Sequence, residues 1–285
     1  MPRKRIVPVF AVNIAADPHP PKIYPRILRK ASRIMVQARG SDFARITKPI
    51  RHRRHRHLYV GRLHLWTDID LEGDWIDLDK QEKLSEDERK KINIPEKARP
   101  NFRVFEYVFD IRSHLMYIEA RNDLDKTIGA TVVESIMQKI FSRWALGESL
   151  PEVAVTMVPE EGVAEELLAI PHKRIIQIVA YRPNPDFAPP ETVRRVNDLM
   201  DRMNVHRIEH RFARSANAET IVLPPDERDL AAVAVDNGLF RIQGRDDQDK
   251  PVDLSSRDRP RKYEIPMERN DSFLAKLLDA LTHLL

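Results

Sequence analysis

The period of the apolar positions changes several times along the chain, and each change predicts an element. Ile6 to Ile14 is almost continuously apolar, interrupted only by Pro8 and Asn13, which predicts a buried strand. Asp17-Pro18-His19-Pro20-Pro21 then predicts a turn, because proline fixes φ and aspartate bonds its own backbone. Over Tyr24 to Gln37, Ile27, Ile34 and Met35 share one helical side while Arg26, Arg29, Lys30 and Arg33 occupy the rest. Alternation returns from Leu58 to Trp66, with Asp74 to Leu78 as the expected hairpin partner across Asp70-Leu71-Glu72-Gly73. The stretch Lys80 to Pro100 is nearly all charged and ends in a proline-bounded segment. It predicts a division into a basic N-terminal region with a small β element and acidic linker, 1–98, and a core domain, 99–285.

Beyond that division the signals sharpen. Phe105, Tyr107 and Phe109 alternate in a strand from Arg103 to Asp110, and Leu115 to Ala120 returns beside it. A helix is expected next, capped by Asp125, striped by Ile128, Val132, Ile136, Ile140 and Trp144, and ended by Gly147. Val153 to Val158 predicts a strand, Glu160 to Ala169 a short helix, and Arg174 to Tyr181 a β-branched buried strand stopped by Pro183-Asn184-Pro185. Pro190 opens a helix carrying Val193, Val196, Leu199 and Met203, followed by a strand from Val205 to Phe212. Asp226 is the expected cap of a helix closed by Asn237-Gly238. Leu239 to Gln243 and Pro251 to Leu254 form a hairpin around Gly244-Arg245-Asp246-Asp247. A last helix, capped by Asp271, buries Phe273, Leu274, Leu277, Leu278, Leu281 and Leu285, either against the main sheet or against a second subunit of a homodimer. Helices and strands without a strict βα rhythm give an α+β fold, with a mixed or antiparallel sheet and packed helices.

Composition narrows the chemistry. The chain has no cysteine, which removes disulfides, thiolate metal sites and cysteine nucleophiles and makes the cytoplasm the expected setting. No apolar run is long enough to span a bilayer, and the N-terminal run lacks a cleavage site, so neither membrane insertion nor a signal peptide is expected. With 8 glycines in all, no glycine-rich phosphate loop is present, and no Gly-x-Ser-x-Gly elbow is found. No cofactor is expected.

Charge is where the sequence is most unusual. Residues 1–62 hold 12 Arg and 4 Lys against Asp17 and Asp42 alone, whereas residues 63–96 hold 11 carboxylates against 5 cations. The peak runs from Lys48 to His57 and contains Arg51, Arg53, Arg54, Arg56 and three histidines with no carboxylate. Like charges so close require solvent or an anion among them, and a polyphosphate supplies one, since each neutralised phosphate releases counterions. Arg26, Arg29, Arg33, Lys48, Arg51, Arg53, Arg54 and Arg56 are therefore the candidate phosphate contacts, with DNA favoured over RNA and little base specificity. The rival is internal pairing of the basic run with the acidic residues of 68–88. His52, His55 and His57 invite a metal reading, but their arginine neighbours oppose a cation.

The residues also offer two enzymatic alternatives. Asp110, Glu119 and Arg121 resemble a metal-dependent nuclease set in which arginine stands where a lysine is usual, and Arg202 with His206 or His210 could serve metal-free cleavage. A third alternative is a protein-interaction module that presents its acidic stretch to a partner.

The run Ile175-Ile176-Gln177-Ile178-Val179-Ala180-Tyr181 followed by Arg182-Pro183-Asn184-Pro185-Asp186, with Asn237-Gly238 and Gly244-Arg245-Asp246, resembles an uncharacterised bacterial family, a domain of unknown function scattered among mobile and defence-associated genes. The resemblance covers residues 5–265 and implies no activity. The order of hairpin, helix and Pro-bounded strand is similar to that of the phage lambda Rex exclusion sensor and of the DNA-binding subunit of the Kiwa antiphage system. That similarity implies cytoplasmic DNA binding in phage defence, with a protein partner from a defence operon.

Overall fold

The apolar run near the N-terminus is buried along most of its length, and the computed structural model places it at the centre of the molecule as β1 (Arg5–Asp17). The structure describes residues 5–18, 22–182, 190–268 and 271–284. After β1 come α1 (Ile23–Ala31), β2 (Val36–Arg39), β3 (Asp42–Ile46), β4 (Ile50–Arg51) and β5 (Leu58–Thr67). A ribbon of β6 (Ile76–Asp77) and β7 (Glu82–Lys83) precedes the single-turn helix α2 (Glu86–Arg89). β8 (Arg103–Asp110), β9 (Leu115–Glu119), α3 (Ala130–Ile140), α4 (Arg143–Leu146) and β10 (Glu152–Met157) follow. The remainder is α5 (Val163–Leu168), β11 (His172–Tyr181), α6 (Pro190–Met203), β12 (Arg207–Ala213), α7 (Pro225–Asp236), β13 (Gly238–Arg245), β14 (Pro251–Ser255), β15 (Lys262–Met267) and α8 (Phe273–Leu284).

The fold is α+β, and every ladder described is antiparallel. The large sheet runs β10-β1-β9-β8-β5-β3-β2. Its two long strands each take two short ones end to end along a single edge: β15 and β10 on β1, β4 and β3 on β5. Both faces of β1 are buried, as its almost continuous apolar character requires. Phe10, Val12 and Ile14 join the core under α1 and α3, while Val7, Val9 and Ala11 join the core under α8. Gly61 of β5 lies opposite Tyr107 of β8, whose ring covers it and leaves no room for a Cβ.

A second sheet, β12-β11-β13-β14, carries α5, α6 and α7 over the core of Ile176, Ile178, Phe240 and Ile242. The two sheets are tied by polar contacts. Asn13 donates through Nδ2 to Asn237 Oδ1 at 2.8 Å with both residues buried, and Arg182 Nε lies 2.9 Å from Asp17. β5 and β8 flank the division expected at 98/99 and are ladder neighbours across it.

Several expected elements are redrawn. The helix from Tyr24 ends at Ala31 rather than Gln37: Ser32 donates its Oγ to Arg29 O, and the chain then turns into β2, whose Val36 pairs with Ala44. Met35 is consequently 60% exposed. Residues 74–78 do not pair with β5, because β8 fills one of its edges and β3 with β4 the other; Ile76–Asp77 pairs with Glu82–Lys83 instead. The helix expected across 125–147 starts after Gly129 and breaks at Phe141, where Ser142 caps a new turn by accepting from Ala145 N. Asp226 lies inside the first turn of α7, which Pro224 and Pro225 open. Ser272, not Asp271, accepts from Ala275 N at the start of α8, while Asp271 accepts from Glu268 N. β15 has no counterpart among the expected elements, because its residues lie in a stretch dominated by Arg, Asp and Pro. The turn at Pro183-Asn184-Pro185 and the last leucine, Leu285, lie outside the described residues.

α8 docks within its own chain. Phe273, Leu277 and Leu281 are buried against Val7, Val9, Val108 and Tyr117.

Candidate nucleic-acid interface

The basic run forms the loop of a β4–β5 hairpin. Ile50 and Arg51 pair with Val60 and Tyr59, and the loop closes on itself by bonds from His52 N to Leu58 O and from Leu58 N to His55 O, both 2.9 Å. Arg51 Nε donates to Arg56 O at 2.6 Å. The rings of His52 and His55 stack with centroids 5.3 Å apart, and His57 meets His55 edge-on. Arg53, Arg54 and Arg56 lie in the loop, Arg51 at the end of β4 and Lys48 just before it, and all five are exposed.

The loop leans on the β8–β9 turn. Ile111 N bonds His57 O, and Arg112 lies 2.8 Å from His57 Nε2 and 3.7 Å from the buried Asp110. Burial holds the His57 imidazole below its ordinary pKa, Arg112 and the two neighbouring histidines add to the effect, and Asp110 opposes it. The first turn of α1 meets the same β8–β9 turn, where the Tyr24 and His114 rings lie 4.7 Å apart. Its apolar side, Ile23, Ile27 and Leu28, is buried, which leaves Arg26 and Arg29 on the exposed side and Arg33 just past the helix end. The basic loop and the basic helix therefore border one hairpin.

Among the described residues, the acidic segment forms no ion pair with them. Asp77 and Glu88 pair with Lys80, Asp74 with Lys83, Glu72 with Arg89, Asp87 with Lys90 and Asp68 with Arg99. Glu88 also accepts from Ser85 and is pulled down to about 2, mainly by that bond. Among the described residues, Arg26, Arg29, Arg33, Lys48, Arg53, Arg54 and Arg56 take part in no ion pair. Arg257, Arg259 and Arg261, by contrast, are taken by Glu134, Glu166 and Glu161.

The enzymatic sets do not assemble. Asp110 lies at the turn end of β8, whereas Glu119 accepts from Glu106 N, four residues and about 13 Å back along the strand. Arg121 turns to Asp125. His206 is held by Glu152 and His210 by Glu227, on different elements, while Arg202 bonds its own helix at Asp198 O. No group of three or more metal-ligating side chains occurs among the described residues.

One surface residue departs from what its spacing predicts. Trp144, expected in the core stripe, is 94% exposed on α4, which packs against α1. The signal that points to its exposure is Ser142, a capping residue placed to restart the helix with a different facing.

No curated protein matches the sequence. Residues 5–284 match the family described as Domain of unknown function (DUF4747), further than the resemblance read from the motifs alone, and the chain belongs to that family.

Proposed function

We propose that this protein binds nucleic acid, DNA before RNA, through the β4–β5 loop and α1, with contacts to phosphate rather than to base edges. The observation that carries the reading is the set of exposed cations outside any ion pair on these two segments, while Asp68, Glu72, Asp74, Asp77, Asp87 and Glu88 of the acidic segment are paired with their own local lysines and arginines. Such a surface keeps its full charge for an external polyanion. Trp144 on the flank of α1 supplies a ring on which an unpaired base can stack. The likeness of element order to DNA-binding defence proteins is what turns the reading toward DNA and phage defence.

Replacing Arg51, Arg53, Arg54 and Arg56 together by Ala should weaken binding to all sequences alike and flatten the dependence of log K on log salt by roughly 0.9 unit for each phosphate no longer neutralised. The variant should fold normally, because none of these four arginines is buried. Wild-type affinity and salt slope in that variant would remove the proposal.

A further inference from the structure

The face of the large sheet that carries α8 opens, beyond the first turn of that helix, into a cleft of about 940 Å³. Strand alternation brings Arg62, Glu106 and Glu119 there in a row across β5, β8 and β9, since Arg62 is the ladder partner of Glu106 and Glu106 N donates to Glu119 Oε2 at 3.0 Å. Phe102, Val104 and Phe273 give the cleft an apolar wall. Glu119 lies at its depth, 5% exposed, and Asp123 and Glu268 lie at its rim.

The cations of the cleft are already engaged. Arg5 donates to the carbonyls of Arg121 and Asn122, and Arg62 Nε lies 3.5 Å from Glu106. Asp271 at the start of α8 accepts from Glu268 N and pairs with Lys276. Among the described residues, Glu119, Asp123 and Glu268 have no ion-pair partner. Arg5 keeps its charge, since its partners are neutral carbonyls, but five carboxyl groups, Glu106, Glu119, Asp123, Glu268 and Asp271, face two guanidinium groups along the cleft, next to hydrocarbon and two aromatic rings.

We propose that this cleft binds an organic amine, whose ammonium group meets Glu119 and whose alkyl or aryl body lies along Phe102, Val104 and Phe273. The geometry suits an ammonium better than a bare metal ion, because the carboxylates are spread along the cleft and not gathered around a point. The state of Glu119 agrees. Burial pushes its carboxyl up to about 7, Glu106 and Asp123 push the same way, and the Glu106 N–H and Arg5 only partly oppose them. An ammonium would reverse that balance, so binding displaces a proton from Glu119 and tightens as pH rises through 7. Arg62, Glu268 and Asp271 also face the cleft, and the Glu268 N–H that Asp271 accepts holds the Asp271 carboxyl below its ordinary value.

The test is calorimetric titration of the full chain with spermidine and with cadaverine at about pH 6 and about pH 8, where the neutral fraction of a carboxyl with pKa about 7 changes roughly tenfold. Saturable binding of one amine per chain, about tenfold tighter at the higher pH, is expected. Glu119→Gln should abolish the pH dependence and weaken binding by at least about tenfold. Asp123→Asn, at an exposed rim position, should weaken it without touching the fold, which guards against a folding defect in the first variant. The alanine variant of Arg51, Arg53, Arg54 and Arg56 should bind amines as wild type does, so failure here and failure of the nucleic-acid reading are separable. The proposal is overturned if neither amine saturates, if Glu119→Gln binds them like wild type, or if pyrophosphate occupies the cleft in their place through Arg5 and Arg62.

Discussion

Glu119 shows how much a single residue's meaning depends on register. In the sequence it is one carboxylate of a hairpin, grouped with Asp110 and Arg121 by proximity along the chain; in the fold its neighbours are Glu106, Arg62 and Arg5, drawn from three other strands. That regrouping could not be read from one sequence, because it requires knowing which strands are neighbours and with what offset. Its consequence for stability is measurable. The folded-state pKa of about 7 lies above the ordinary carboxyl value, so the contribution of Glu119 to stability is intact below about pH 4.5 and is lost as pH rises through 7. Glu119→Gln removes the ionisable group while keeping the shape. The variant should match wild type near pH 4.5 and exceed it by up to about 3 kcal/mol near pH 8, read from denaturant midpoints across that range. Equal midpoints at high pH would show the carboxyl to be solvated. Asp236, raised by burial to about 6, titrates in both proteins and cancels in the difference.

At the scale of elements, strands with clear alternation were legible almost to the residue: β8 and β9, β11, and the β13–β14 hairpin. Legibility failed where a short alternation is set in a polar stretch, as with Tyr263, Ile265 and Met267 of β15, and where one helical period conceals a break, as between α3 and α4. The basic run was visible from composition alone, but not that it forms a hairpin loop packed on the β8–β9 turn. The C-terminal helix is legible as an apolar stripe in need of cover, and the cover is the second face of the large sheet. Leu277 is 1% exposed there. Leu277→Asp removes a buried leucine side chain and forces a carboxylate into hydrocarbon, so unfolding free energy should fall by about 3 kcal/mol or more. Urea denaturation followed by circular dichroism checks it. An unchanged midpoint would place α8 in solvent, and a folded variant of half the wild-type mass by light scattering would place it between subunits.

For the whole molecule, the proposed activity is retention of nucleic acid without chemistry. The purified chain, incubated with labelled DNA and RNA with and without divalent metal, should shift both on a native gel and leave their lengths unchanged, with DNA held the more tightly. Products that vanish in Glu119→Gln or His206→Ala would make the protein an enzyme instead. The α+β class followed from the mixture of periods, but the arrangement of two antiparallel sheets did not, because it depends on pairings between distant segments such as β1 with β10 and β15. That last pairing also dictates an order of assembly. Residues 5–10 leave the ribosome long before 262–267, so while β2 to β14 are being made half of one edge of β1 has no neighbour, and Val7 and Val9 have no α8 above them. Closure over so long a loop is slow, and an open edge can recruit a strand from another chain while it waits. During translation the central strand of this fold is the part most in need of protection, and the segment that protects it is made only after every other strand described.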